Sequence, residues 1–312
     1  MKGTLMIIGI ILLVIIVLTS IIIVYILLKP AVPKDYYNKV DTTGDIESKY
    51  TQMGTHNVKN VKIDVMENFK SYRIWYPEEM KTSSKKYPVV IFANGTGVKA
   101  AKYPALFEHL ASWGFIAIGT DEKYSWNGFS SEMSLRLMVK LNSMKNIPNL
   151  DVNPFYGKVD LDNIGVSGHS QGGVGAINSA TNTNHASMYK AIYSASMTNK
   201  DLASNLEWDF DAREISIPTL LVSGTGEIDN NKILSLEQMK SIYDDIPNTT
   251  MKLMIRRVNA DHEDMLYYGD GYMTAWFIWL LQGDEEAAKA FKGSSSEILN
   301  NKNWQDGMNN IE

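Results

Sequence analysis

The residues best placed to do chemistry are the run Gly168-His169-Ser170-Gln171-Gly172. An apolar stretch, 164–167, leads into it, and a small-residue stretch, 173–176, follows. A serine hydroxyl becomes useful when a tight strand-to-helix turn lifts it clear of a sheet. Glycines two before and two after leave room for that turn and for the incoming helix. The first helical turn also favours negative charge developing beside it. Ser170 is therefore expected to be a nucleophile.

An activated serine needs a histidine within hydrogen-bond reach, and the histidine needs a carboxylate to fix its tautomer. On a strand–turn–helix scaffold of this kind the chain order is serine, acid, histidine. Of the five histidines, His56 and His109 precede the serine and His185 sits in a polar loop. His169 lies inside the motif, where its side chain is expected to point away from the nucleophile and pack. Only His262 follows the late apolar run 253–258, and it is the expected base. The acid should follow the apolar run 218–223. The next loop offers Asp229 and Glu227; Asp229 is favoured for its shorter side chain, with Glu227 as the alternative. Charge on an acyl oxygen would be met by backbone amides. The expected donors are those of Gln171 and of Thr96, in the loop Asn94-Gly95-Thr96-Gly97.

The elements that must hold these residues alternate. Two stretches around Val61–Val65 and Tyr72–Tyr76 switch between apolar and polar residues, as an antiparallel opening hairpin does. Apolar runs at 88–93, 115–119, 164–167, 191–195, 219–223 and 253–258 suit strands covered on both faces. Helical spacing appears in 104–113, 130–144, 172–181, 235–244 and 272–281. This predicts an α/β fold with a mostly parallel central sheet flanked by helices. About twenty residues separate Ala195 from Pro218, too few for a large lid. Tyr124 and Trp126, after the run ending at Gly119, are expected to wall an open substrate cleft. Beyond Gly293 the chain turns to Ser, Asn and Lys and is expected to wrap the surface, anchored by Trp304.

With these residues in view, the stretch from Lys86 to Phe291 resembles the compact α/β-hydrolases of the dienelactone hydrolase, bacterial cutinase and poly(ethylene terephthalate) hydrolase type. Platelet-activating-factor acetylhydrolases are more distantly similar. The resemblance rests on Tyr87-Pro88-Val89-Val90-Ile91-Phe92 with its Gly-Thr-Gly loop and on Ser112-Trp113-Gly114-Phe115 leading into Thr120-Asp121. It rests also on the Gly168 to Gly172 motif, on Ile217-Pro218-Thr219-Leu220 and on Ala260-Asp261-His262. It implies ester hydrolysis through an acyl-enzyme with no cofactor, Ser170 as nucleophile, His262 as base, Asp229 or Glu227 as acid, and Thr96 and Gln171 as amide donors. Asn94, Gln171 and the absence of cysteines depart from the family pattern; they bear on the substrate and leave the three side chains untouched.

The N-terminus is a separate matter. Residues 5–28 carry no charge and are mostly Ile, Leu and Val. At ~1.5 Å per residue such a helix crosses a hydrocarbon core of roughly 30 Å. Residues 1–30 are read as a single-pass signal anchor. A cleaved signal peptide is disfavoured by the length of the run and by the lack of a small-x-small cleavage site. Residues 31–57 are expected to be a stalk or lead-in and 58–312 the catalytic domain, placed outside the cell. The net charge of −5 and the absence of any basic run argue against a nucleic-acid partner. Zero cysteines exclude disulfides, thiolate metal sites and a cysteine nucleophile. Asp261, Glu263 and Asp264 flank one histidine with no second at ligand spacing, so no metal is expected. The expected partners are a small-molecule or lipid ester and the membrane. The alternatives are a lipase or acetyl-esterase, a thioesterase or a peptidase acting on envelope substrates, or an inactive membrane-tethered binding module.

Overall fold

The apolar runs pair into one nine-stranded sheet in the computed structural model, which describes residues 12–13, 15–21, 25, 29–65, 69–148 and 150–312. The strands are β1 (Val58–Asp64), β2 (Ser71–Pro77), β3 (Tyr87–Ala93), β4 (Ile116–Thr120), β5 (Val159–His169), β6 (Tyr189–Ala195), β7 (Thr219–Gly224), β8 (Lys252–Arg257) and β9 (Trp304–Asn309), in the order β1-β2-β4-β3-β5-β6-β7-β8-β9. Strands β3 to β8 are mutually parallel. β1, β2 and β9 run antiparallel to their neighbours.

The central strands are apolar on both faces because both faces are covered. Val90 and Phe92 of β3 face one layer with Phe107 and Leu110 of α2 (Pro104–Ser112) and Trp276 and Phe277 of α7 (Asp270–Gln282). Val89 and Ile91 face the other layer. There they meet Leu135 and Met138 of α3 (Phe129–Ser143), Val174 and Ile177 of α4 (Gln171–Thr181), and Met239 and Ile242 of α6 (Leu236–Asp245). Each fully buried side chain of this size stabilises by ~1.5–3 kcal/mol. Between β6 and β7 there is only α5 (Lys200–Asn205) and a short turn, so no lid domain is inserted there.

Two expectations need correcting. Residues 31–57 are not a free stalk: Val32, Tyr36 and Tyr50 are buried, and α1 (Asp45–Thr51) packs on α7. The tail does not simply wrap the surface: it returns as β9 and covers the edge of β8. One buried carboxylate, Glu47 of α1, ties these pieces together. It accepts from Arg257 Nη1 at 3.1 Å, Trp304 Nε1 at 2.8 Å and Asn301 Nδ2 at 2.8 Å. The β9 residues are mostly polar, so period-two alternation was too weak to reveal an edge strand.

The expected membrane segment falls mostly outside the described residues. Within it, residues 12–13, 15–21 and 25 are helical. Among the described residues no helix is long and apolar enough to cross a membrane.

Candidate active site

Ser170 sits between the last residue of β5 and the first of α4, with φ 60° and ψ −125°. A positive φ at a non-glycine residue is strained backbone, held because the surrounding structure fixes it. The flanking glycines make this turn possible. A Cβ on Gly168 would come within 1.9 Å of the Gly172 carbonyl oxygen, and one on Gly172 within 2.0 Å of the Ala93 carbonyl oxygen. The Ser170 amide donates to the Ala195 carbonyl at 2.9 Å, which fastens the turn to β6.

The loops after β5, β7 and β8 converge at the C-terminal ends of the parallel strands. Ser170 Oγ lies 3.0 Å from His262 Nε2, and His262 Nδ1 lies 2.9 Å from Asp229 Oδ1. A carboxylate only accepts, so the proton on His262 resides on Nδ1. That leaves Nε2 bare to accept from the serine hydroxyl. Asp229 is fully buried and Ser170 half-buried, so the serine remains open to solvent.

Asp229, not Glu227, meets the histidine. Residues 227–228 begin a helical turn that widens into a π turn over Asp229–Ile233. At about 100° per residue, side chains two apart point in opposite directions. One of the two carboxylates must face outward, and Glu227 is exposed. π turns recur at functional sites.

Several supporting residues were not visible in the sequence. Ser196, buried at φ 43°, donates to Asp229 Oδ2 at 2.6 Å, and the Gly224 amide donates to the same oxygen at 2.5 Å. Arg256, buried behind the loop, donates to the Gly224 carbonyl at 3.1 Å and to Asn230 Oδ1 at 2.6 Å. Asp261 joins the two loops. Its Oδ1 accepts from the amides of Asp229 (2.9 Å) and His262 (2.8 Å), and its Oδ2 accepts from the Ile228 amide (3.3 Å). Desolvation pushes the Asp261 carboxyl up, but these amides and the neighbouring His262 outweigh it and hold the group below the usual carboxylate range. Asp261→Asn puts an N–H where one amide now donates. It is expected to lower kcat about tenfold, through misplacement of the Asp229–His262 contact, with little change in KM. Steady-state kinetics on a soluble ester check this; an unchanged kcat would show that the loops hold their places without it.

His169 packs beside His262. Its ring lies 4.5 Å from that of His262, and its Nε2–H donates to the His262 carbonyl at 2.7 Å. Burial, and then the adjacent His262, hold its pKa down at about 3. It is thus a neutral prop for the 261–262 loop.

The two expected amide donors lie on adjoining loops. The Gln171 amide stands in the first turn of α4, where no intrahelical acceptor exists. In the 94–97 loop the Gly95 amide donates to Tyr103 Oη at 3.3 Å and the Gly97 amide to the Lys123 carbonyl at 2.9 Å. The exposed Thr96 lies between them. Gln171 also binds through its side chain, whose Oε1 accepts from the Ser125 amide at 2.9 Å. Ser125 Oγ in turn donates to the Asn94 carbonyl at 2.5 Å. The elbow, the 94–97 loop and the 121–128 loop are thereby tied together. Tyr124 is 58% exposed on that last loop. Trp126 is half-buried and its carbonyl accepts from Asn178 Nδ2 at 2.8 Å. Among the described residues no group of three His, Asp or Glu is disposed to hold a metal ion.

This arrangement can move a proton from a hydroxyl to an imidazole and hold the resulting imidazolium against a buried carboxylate. In comparison with known proteins, a family model described as PET hydrolase-like matches residues 41–299. No curated protein matches the chain.

Proposed function

From the premise that the chain belongs to the PET hydrolase-like family of α/β-hydrolases, we propose that it is a serine esterase cleaving carboxylic esters through an acyl-enzyme. The observation that carries this reading is the unbroken hydrogen-bonded line from Ser170 through His262 to Asp229 at a strained elbow. In this reading Ser170 Oγ attacks the ester carbonyl while His262 Nε2 takes its proton. The Gln171 and Thr96 amides meet the oxyanion. The same imidazole then gives the proton to the leaving alcohol, and water repeats the sequence to release the acid. Asp229 fixes the tautomer and stays ionised throughout. Tyr124 and Trp126 line the acyl or alcohol side of an uncovered cleft. Residues 1–30 hold the enzyme to the cell membrane by one pass, with the catalytic domain outside. No cofactor takes part in this scheme.

A fluorophosphonate probe tests it. Wild-type protein is expected to label stoichiometrically and to turn over short p-nitrophenyl esters, and Ser170→Ala to do neither. Folded wild-type protein that fails to label would overturn the mechanism and favour a binding module on a hydrolase fold.

A further inference from the structure

Residues 29–31 join the apolar N-terminal run to the domain at a particular place. The Ala31 amide donates to the Lys102 carbonyl at 2.8 Å, and Lys102 Nζ donates to the Lys29 carbonyl at 2.6 Å. Val32 follows, fully buried, and Tyr36 Oη reaches buried Asp270. Lys102 closes the segment that follows β3, a few residues past Thr96 and just before α2 turns back. The chain therefore enters the domain at the C-terminal end of the sheet, the end that carries Ser170, Asp229 and His262.

Lengths decide what this means. The Lys29 amide still donates to the Tyr25 carbonyl at 2.8 Å, a helical bond. From Lys29 to the pinned Ala31 is two residues, about 7 Å at most. The headgroup layer on each side of a bilayer is ~5–8 Å thick. In the reading of residues 1–30 as a one-pass anchor, that leaves no stalk between the domain and the headgroups. In that reading its catalytic end lies against them.

We propose that the mouth of the Ser170 site faces the bilayer and that its substrates are acyl esters of membrane glycerolipids. This rests on the esterase and one-pass-anchor readings above. The exposed side chains at this end suit it: Tyr124 on the loop after β4, Phe129 at the start of α3 and Ile228 in the helical turn after β7 are 58%, 54% and 51% exposed. Such side chains sit at a headgroup boundary and ease an acyl chain out of the bilayer. Exposure alone would not choose this end, because Met144, Val152 and Tyr156 are exposed at the opposite one. The tether chooses. Charge does not: Lys99, Lys102 and Lys123 share the rim with Glu122, Glu227 and Glu263. Phosphatidylcholine should therefore serve as well as phosphatidylglycerol.

The test uses the full chain reconstituted into vesicles. Because the protein has no cysteine, Phe129→Cys and Val152→Cys each give one labelling site, at the mouth and at the opposite end. A nitrobenzoxadiazole label at 129 is expected to be quenched several-fold more by lipids carrying a headgroup-level spin label than one at 152. Ten Gly and Ser residues inserted between Lys29 and Pro30 add up to roughly 15–20 Å of slack. That insertion is expected to cut fatty-acid release from phosphatidylcholine vesicles at least fivefold and leave p-nitrophenyl acetate turnover unchanged. Equal quenching at the two sites, or vesicle hydrolysis that ignores the insertion, would overturn the proposal. A chain that cleaves p-nitrophenyl acetate but no vesicle lipid would overturn the substrate assignment while sparing the esterase. A chain that cleaves neither ester and resists fluorophosphonate would sink the esterase reading and the substrate with it; the quenching contrast would then decide the orientation alone.

Discussion

Ser170→Ala, His262→Ala and the double replacement are each expected to lower kcat on a p-nitrophenyl ester by about the same factor, roughly a millionfold, or ~8 kcal/mol of barrier. The effects do not add because the hydroxyl and the imidazole act as one unit, joined here by a 3.0 Å contact. Removing either ends the proton transfer that makes the nucleophile. Asp229→Asn should cost about 10,000-fold, since a carboxamide permits the wrong imidazole tautomer. Glu227→Gln should change little, because that carboxyl is exposed and turned away from His262. Steady-state kinetics on the four single variants and the double one give a direct reading. Comparable losses at Asp229 and Glu227 would show that the acid loop exchanges the two residues. A double-variant loss equal to the product of the single losses would show that serine and histidine act separately.

The second large effect concerns stability. His109 and Asp270 are both fully buried, with Nδ1 and Oδ2 2.9 Å apart, and Tyr36 Oη donates to the same carboxylate oxygen at 2.5 Å. His109 Nε2 meets the Gln52 carbonyl at 2.9 Å. The cluster thus joins the lead-in, α2 and the start of α7. Removing one partner of a buried pair leaves the other uncompensated, at a cost of about 3–5 kcal/mol. Asp270→Leu is expected to lower Tm by roughly 6–20 °C for a domain of this size. His109→Leu combined with Asp270→Leu should recover part of that loss, because no charge then remains buried. A double variant as unstable as the sum of the single ones would show that packing, not charge pairing, governs the site.

Proton linkage gives the same cluster a pH signature. Burial pushes the His109 pKa down, but Asp270 beside it more than offsets this, so the net shift is upward. A raised folded-state pKa stabilises fully below the ordinary histidine value of about 6.5. The contribution is then lost as pH rises through the folded-state value. The Tm gap between wild type and Asp270→Leu should therefore be widest near pH 6 and narrow toward pH 9. A gap that widened with pH would reverse the sign and overturn this account of the pair.

Local chemistry made much of the molecule legible before any contact was known. Gly168 and Gly172 announce the elbow because only a missing Cβ admits the Gly172 and Ala93 carbonyls. The central strands read as apolar runs because helices cover both of their faces. The helices that read clearly, α2, α3, α4, α6 and α7, combine helical apolar spacing with a buried face. His262 stands out in the sequence by its place after the last parallel strand, where chain order expects a base.

What stayed hidden depends on contacts between residues far apart in sequence. Asp229 and Glu227 are alike in type and two residues apart; only the π turn, closed against the 261–262 loop, aims one of them inward. Ser196 and Asp261 are common polar residues whose partners lie 33 and 32 positions away. His169 carries no mark in sequence that sets its ring beside His262. The 31–57 segment reads as a stalk or lead-in because its anchoring residues are few and spaced without a period. Val32, Tyr36 and Tyr50 bury themselves only because α2 and α7 have already built the surface that receives them. β9 is polar because an edge strand needs just one neighbour. The sequence by itself determined the elbow at Ser170, the place of His262 after the last parallel strand and the layered sheet, since each follows from local geometry or chain order that residue type enforces. The tertiary structure alone decided which carboxylate completes the line, and on which end of the domain the N-terminal run arrives, since both depend on where distant segments pack.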